Sequence, residues 1–489
     1  PKPRRSLSET LATFMEERNI RWGELAGGLL IVCSSVALVI SLWEQLEAIP
    51  YFQFFIFVAV SAALFGIGFY TQHRWKLAST SRGVLIIATL LVPLNFVAMI
   101  ATRRPTFDPI ALVTELTALG VFVALVYRAG RVLVDRWAWW LMLAVVGNSG
   151  VLLLLLHHPS PFWAAVLGLL ATSLDVLGVG AVLFRIRRDT DWTEPLVGRL
   201  FTLTGIAGFA VLVTLGMIGV RSDDRWLAVH CLAPMAAVAG LPVLACGLAV
   251  MNALSSRVDQ AALRTAGTAV ALSGAAAMLA ALGLAWPLPV SLIAVGLCNF
   301  AALTASGIRF RLPPLHAVAA ACLGIAFIVA SHVALGDLAP FVADSVAVAR
   351  LFVTGQTGLW LIGLFALFAA LAELLTRRSR TDDATCYWIA AAATAAVSLS
   401  LATWPVLRSG GHESLRAALV WGAYGLAGCV INLRLRRATV AHGSRALLYG
   451  AALFGATAWL VGQPWVHDDP WQLLSRPSLQ CYAAASAAL

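Results

Sequence analysis

The chain has 489 residues and a net charge of +10, yet only 12% of its residues are charged and 60% are hydrophobic. Its mean hydropathy is +0.85. Soluble domains run near 45–50% apolar and about 25% charged, and a globule in water still needs a polar skin, so this composition excludes a water-soluble protein. The apolar residues come in blocks of roughly sixteen to twenty-five between short charged connectors, the length a hydrocarbon layer about 30 Å thick requires. The fold class expected is all-α: a polytopic transmembrane helical bundle of about fifteen spans.

In chain order, residues 1–24 come first, as a cytoplasmic or interfacial amphipathic helix. Ser6 and Glu9 have capping-box spacing, and Leu7, Leu11, Phe14 and Met15 share one face. A plain helical linker from an upstream domain explains the segment equally well. Residues 25–489 form the bundle. Spans are expected at Leu25–Trp43, Tyr51–Tyr70, Val84–Ala101, Pro109–Tyr127, Trp137–Leu156, Pro161–Phe184, Leu200–Val220 and Leu227–Met251. They continue at Ala266–Ala285, Leu288–Ile308, Leu315–Leu335, Leu351–Leu371, Tyr387–Trp404, Ala417–Leu433 and Ala446–Val461. A sixteenth begins near Gln480. Backbone groups in lipid must be satisfied within the segment, so these read as helices. The start without methionine and the apolar ending CYAAASAAL suggest a fragment truncated at both ends.

Orientation follows from charge. Counting connectors alternately, the side that holds the N-terminus receives 26 of the 34 Lys and Arg residues, and the other side receives eight. The positive-inside rule then makes the N-terminus cytoplasmic, and the expected location is the inner (plasma) membrane. The basic balance is thus explained by topology, and no nucleic-acid partner is needed. Trp22, Trp43, Trp137, Trp226, Trp286, Trp388 and Trp404 fall at span ends, where an indole ring prefers the headgroup layer. SRGVLIIATLL at Ser81 resembles SRALLYGAALF at Ser444, a recurrence that topology alone would also generate.

The polar residues within spans carry what functional signal there is. Asp175 and Glu115 lie well inside apolar segments, where a charged group costs at least ~2.5–3.5 kcal/mol and marks a functional-site candidate. At about 1.5 Å per residue, Glu115 lies roughly 10 Å and Asp175 roughly 20 Å below the outer end of its span. They are too far apart in depth to touch but could be stations along one path. No Lys or Arg lies in a span to pair with them, so each is protonated, hydrogen-bonded to Ser, Thr or Asn, or facing water. Thr172 and Ser173 on the same span, and Asn148 on the preceding one, are the expected partners of Asp175. The bland alternative is a neutral acid tying two helices together. Gln356 sits in TGQTG, where flanking glycines allow local unwinding of the kind that makes broken-helix binding sites. Pro93 with Asn95, and Pro234 with Pro242, interrupt their spans; these, Asn148 and Asn299 read first as packing features.

His157, His158, His230, His332, His412 and His467 fall on the outer side. The HHPS turn offers two adjacent histidines but no third ligand, so they read as solvated and no metal is expected. The eight cysteines lie in or beside apolar segments without a CxxC pair and read as small core residues. No phosphate-binding loop, nucleophile elbow, zinc-protease or dinucleotide motif is present, so no cofactor or catalytic residue is implied.

The stretch FMEERNIRWGELAGGLLIVCSSVALVISLW to TSRGVLIIATLLVPLNFVAM resembles uncharacterised bacterial multi-span predicted membrane proteins, a domain of unknown function. In them a glycine-rich first span ends in Trp and a Ser-Arg-led third span carries a proline. The likeness covers roughly the first hundred residues, implies no site residues, and suggests a soluble region upstream. Three function classes follow: a permease-like protein with proton or cation coupling, a membrane scaffold or sensor anchoring a cytoplasmic domain, and, least favoured, an enzyme on lipid-linked substrates. The expected partners are the lipid bilayer and a small molecule or ion.

Overall fold

A computed structural model of the chain describes residues 52–102, 109–157, 161–189, 192–222, 224–254, 261–409, 413–435 and 438–461, with Leu30 and Ser34 upstream of them. The segment expected as an amphipathic helix, the first expected span and the sixteenth lie outside the described residues, those two positions apart.

Among the described residues there are fifteen α-helices and no strand. They are α1 (Phe52–His73), α2 (Ala78–Thr102), α3 (Pro109–Leu133), α4 (Ala138–His157), α5 (Pro161–Asp189), α6 (Glu194–Arg221), α7 (Arg225–Ala253) and α8 (Ala261–Ala285). The series continues with α9 (Pro289–Phe310), α10 (Pro313–Leu335), α11 (Ser345–Leu351), α12 (Gly355–Arg377), α13 (Thr381–Ser409), α14 (Ser414–Leu435) and α15 (Ala438–Val461). Thirteen are long and apolar enough to cross a membrane. Apolar side chains also cover their outward faces, with Leu169, Leu177 and Phe184 on α5 each more than half exposed. Soluble monomers rarely show contiguous apolar surface on this scale. The chain is an integral membrane protein.

Fourteen of the fifteen expected spans fall on a helix, and the helices overrun the apolar blocks at their basic ends. α5 continues past Phe184 to Asp189, and α3 continues past Tyr127 to Leu133. Starts are set by local chemistry. The Asp224 carboxylate accepts the Leu227 N–H at the head of α7, and prolines stand in the first turns of α6, α9 and α10, where a missing N–H costs nothing. Gly336, at φ +81°, closes α10 in the left-handed conformation that glycine adopts without strain.

Several expectations need correction. Pro93, Pro234 and Pro242 do not interrupt their helices: α2 and α7 run straight through them. Trp137 stands at the span end as expected, in a 3-10 turn under the Arg136 guanidinium, but is 2% exposed and so buried among protein. Cys231 is exposed, unlike the buried Cys246 and Cys322. The twelfth span does not start at Leu351. α11 ends there, and α12 starts afresh at Gly355, capped by the Thr354 hydroxyl accepting the Thr357 N–H.

The chain divides into two compact units, Pro1–Leu284 and Ala285–Leu489. In unit 1, α4 packs against α2, α3, α5 and α6, while α5 also meets α6 and α7. α7 and α8 approach backbone to backbone through two pairs of glycines seven residues apart, Gly240 with Gly247 and Gly267 with Gly274. A Cβ on Gly247 or Gly274 would run into the main chain of Ala271 or Leu244. Such contacts between small residues are a main source of helix association in lipid. In unit 2, hairpins α9–α10, α12–α13 and α14–α15 each pack closely, and α10 packs on α13. The two Ser-Arg segments occupy comparable places near the heads of α2 and α15. The Ser81 hydroxyl donates to the Gly68 carbonyl on α1, and Ser444 lies where a Cβ on Gly428 of α14 would touch it.

Candidate functional site

α5 is apolar on both of its faces, and what separates them is burial. Leu167, Ala171, Val179, Val182 and Ile186 point inward, while Leu169, Leu177 and Phe184 point outward. Asp175 lies on the inward stripe and is 1% exposed. The apolar interior of unit 1 falls into two clusters, and α5 contributes Leu167 and Ala171 to one and Val179, Val182 and Ile186 to the other. Asp175 stands between them along the helix. α6 switches clusters between Ala207 and Val211, and α7 between Ala239 and Cys246, the latter across Pro242.

Neither carboxylate oxygen of Asp175 has a hydrogen-bond partner among the described residues. The partners expected for it are committed elsewhere. The Thr172 hydroxyl donates to the Gly168 carbonyl at 3.0 Å, and the Ser173 hydroxyl to the Leu169 carbonyl at 2.7 Å. Asn148 is fully buried on α4, and α4 packs on α5 as the hairpin requires, with Gly147 set against Leu174. Yet its amide donates to Ala144 of its own helix at 2.7 Å, leaving Oδ1 without a donor. The expected hydrogen bond from Asn148 to Asp175 is not made. What remains is three buried oxygens on two packed helices, all acceptors, with no protein donor. An unpaired buried acceptor costs about 1–3 kcal/mol, and more when charged. A proton, a cation or a water satisfies such oxygens; a further carboxylate or carbonyl does not.

Glu115 is equally buried, on α3, and is engaged by its surroundings. α3 and α5 both pack on α4, and no described contact joins the two carboxylates. Gln356 is half-buried in the first turn of α12, so it belongs to a capped helix start and not to an unwound stretch. Asn95 ties α2 to α1, donating to the Ser61 hydroxyl at 2.9 Å.

Unit 2 holds two buried polar networks that the sequence does not announce. In the first, His316 is fully buried, with Nδ1 3.2 Å from the Tyr387 hydroxyl and Nε2 3.5 Å from Asp383 Oδ1. Arg380 completes it, 2.7 Å from Asp383 and donating to the Ile308 carbonyl at 2.8 Å. In the second, His332 bridges Asp337, 2.9 Å from Nδ1, and the Thr357 hydroxyl, 2.8 Å from Nε2. That acid–imidazole–hydroxyl order matches a nucleophilic triad, but Thr357 is 1% exposed and its hydroxyl donates to the Leu351 carbonyl. It is a clamp across the α11–α12 break. His332 is therefore a buried histidine bonded at both ring nitrogens. Among the described residues no group of three or more His, Cys, Asp or Glu comes together to hold a metal. Comparison with protein-family models, with curated proteins and with solved structures finds no match for this chain.

Proposed function

We propose that this membrane protein is permease-like and that Asp175 is the station at which a proton or a small cation is taken up and released. One observation carries the reading: a carboxylate buried at the middle of a membrane-length helix, between two apolar clusters, with neither oxygen partnered by protein. Intramembrane carboxylates of this kind typify ion pathways and proton relays, and Asn148 Oδ1 adds a further acceptor on the adjoining helix. The basic bias of alternate connectors supports a cytoplasmic N-terminus in the plasma membrane.

Proteoliposomes under an imposed proton gradient, followed with an internal pH dye across a panel of small solutes and cations, test this. Wild type should show solute- or cation-dependent proton flux, and Asp175→Asn, which keeps the shape and removes the titration, should fall to the level of empty vesicles. If Asp175→Asn folds and supports the same flux, the station is wrong and a helix bundle that anchors a further domain is the better account. Single cysteines beside Lys76 and beside Arg350 test the topology. Labelling from the cytoplasmic side should reach the first and not the second, and the reverse pattern would invert it.

A further inference from the structure

The turns α9–α10 and α12–α13 share an Arg-x-Arg sequence, Arg309-Phe310-Arg311 and Arg378-Ser379-Arg380, and a left-handed residue stands in each, Arg311 at φ 54° and Ser379 at φ 58°. Together they line a polar cavity of about 720 Å³. Arg380 is held by Asp383 and by the Ile308 carbonyl. Arg309, Arg311 and Arg378 line the same cavity and make no ion pair among the described residues, Arg309 lying 6.0 Å over the Phe310 ring, so three cationic side chains there lack a carboxylate partner. Asp382 is the one acidic side chain there outside the Arg380–Asp383 pair.

A second cavity, of about 490 Å³ and almost entirely apolar, lies between α10, α12 and α13. Small residues open it, Ala317, Ala320, Ala321 and Gly324 on α10 and Ala390 and Ala393 on α13. Along α10 it runs from Ala317 to Ile328, about 16 Å at the helical rise, close to half of a ~30 Å hydrocarbon layer. The two cavities adjoin. Pro313 lines the polar one and Cys386 the apolar one, and the Cys386 thiol donates to the Pro313 carbonyl at 3.3 Å.

A basic cavity beside an apolar one of leaflet depth matches one kind of molecule. We propose that unit 2 binds an anionic phospholipid, its phosphate held by Arg309, Arg311 and Arg378 and one acyl chain lying between α10, α12 and α13. The fork of a guanidinium suits phosphate oxygens, and basic pockets between membrane helices recognise anionic headgroups. The proposed topology puts both turns on the cytoplasmic side, where the anionic lipids are. Nothing in this site involves Asp175, so either proposal can fail alone.

The test is native mass spectrometry of the purified full chain with phosphatidylglycerol, with phosphatidylcholine of the same acyl chains, with dihexanoyl phosphatidylglycerol and with inorganic phosphate. Phosphatidylglycerol should be retained in preference to phosphatidylcholine, the short-chain form should bind more weakly, and millimolar phosphate should not displace the long-chain lipid. The triple variant R309Q/R311Q/R378Q should lose on the order of a hundredfold in affinity, about fivefold per guanidinium. Ala320→Phe, which fills the apolar cavity, should abolish the preference for long chains and leave the preference for negative charge. Equal retention of both headgroups, or a triple variant that binds as wild type does, overturns the proposal; full displacement by phosphate makes this a phosphate site and not a lipid site. Should the triple variant fail to fold, an anionic phospholipid with a photoactivatable acyl chain on the wild-type chain decides. Adducts within residues 317–328 or 386–397 support the site, and adducts only elsewhere refute it.

Discussion

Asp175 in unit 1 and the two histidine networks in unit 2 treat buried polarity in opposite ways. In unit 2 every member of the His316–Tyr387–Asp383–Arg380 group has a partner within 3.5 Å, and His332 is gripped on both ring nitrogens. In unit 1 Asp175 is just as deeply buried and has none among the described residues. A connected polar network is an interhelical fastening whose members depend on one another, even with His316 Nε2 held only by its 3.5 Å contact to Asp383. A carboxylate unpartnered among the described residues fastens nothing to them, and the proposed proton or cation station rests on that difference. Burial alone does not distinguish the two cases; the donor count does.

That contrast is open to attack by substitution, the largest effect coming from the fastened side. Asp383→Ala leaves Arg380 and the enclosed His316 without their carboxylate. Breaking a buried ion pair from one side costs about 3–5 kcal/mol, so the melting temperature in detergent should drop sharply; an unchanged one would mean that the network carries no stability. Gly274→Val sets a branched side chain against the Leu244 main chain. Forced overpacking costs about 1–3 kcal/mol, and a loss of α7–α8 contact should appear as new protease or cysteine-labelling sensitivity in those helices. Thr357→Val removes the hydroxyl that His332 Nε2 and Thr354 share, at about 1–2 kcal/mol, again read as a thermal shift. Asp175→Asn should show the smallest stability change, within about 1 kcal/mol of wild type, since no partner is lost. Asp175→Leu should be neutral or stabilising for the same reason. A loss of 3 kcal/mol or more in either, an order of effect expected of a broken buried pair, would show that Asp175 is fastened after all and erase the difference between the units.

The helical segmentation was legible in the sequence because charged connectors separate the apolar blocks and some helices start on a proline, and both are visible one residue at a time. The break at Leu351–Thr354 was not. Leu351, Phe352 and Val353 are as apolar as any span interior, and only the Thr354–Thr357 cap sets the new start. Which face of α5 looks inward was legible through Asp175 alone, whose acid is expected to face the interior and does; Leu169 and Leu177 are as apolar as Leu167 and Val179, and in lipid both faces satisfy the solvent. Asp175 itself was legible, since an acid in an apolar run stands out. Its isolation was not, because the sequence offers Asn148, Thr172 and Ser173 as donors and only the coordinates show each turned to its own helix. The first unit 2 network was missed because it joins positions about seventy residues apart, such as His316 with Tyr387, and the second because it ties His332 to Thr357 across the break that the sequence also hid.

The central claim is that Asp175 is a buried carboxyl group that holds and releases a proton without a protein partner. Infrared difference spectroscopy on the reconstituted chain, with aspartate labelled by carbon-13 at the side-chain carboxyl, measures this directly as pH is stepped. The account predicts a carbonyl band of a weakly hydrogen-bonded carboxylic acid that shifts with the label, appears and disappears with pH, and is missing from Asp175→Asn. A spectrum in which no band of this kind depends on Asp175 would contradict it.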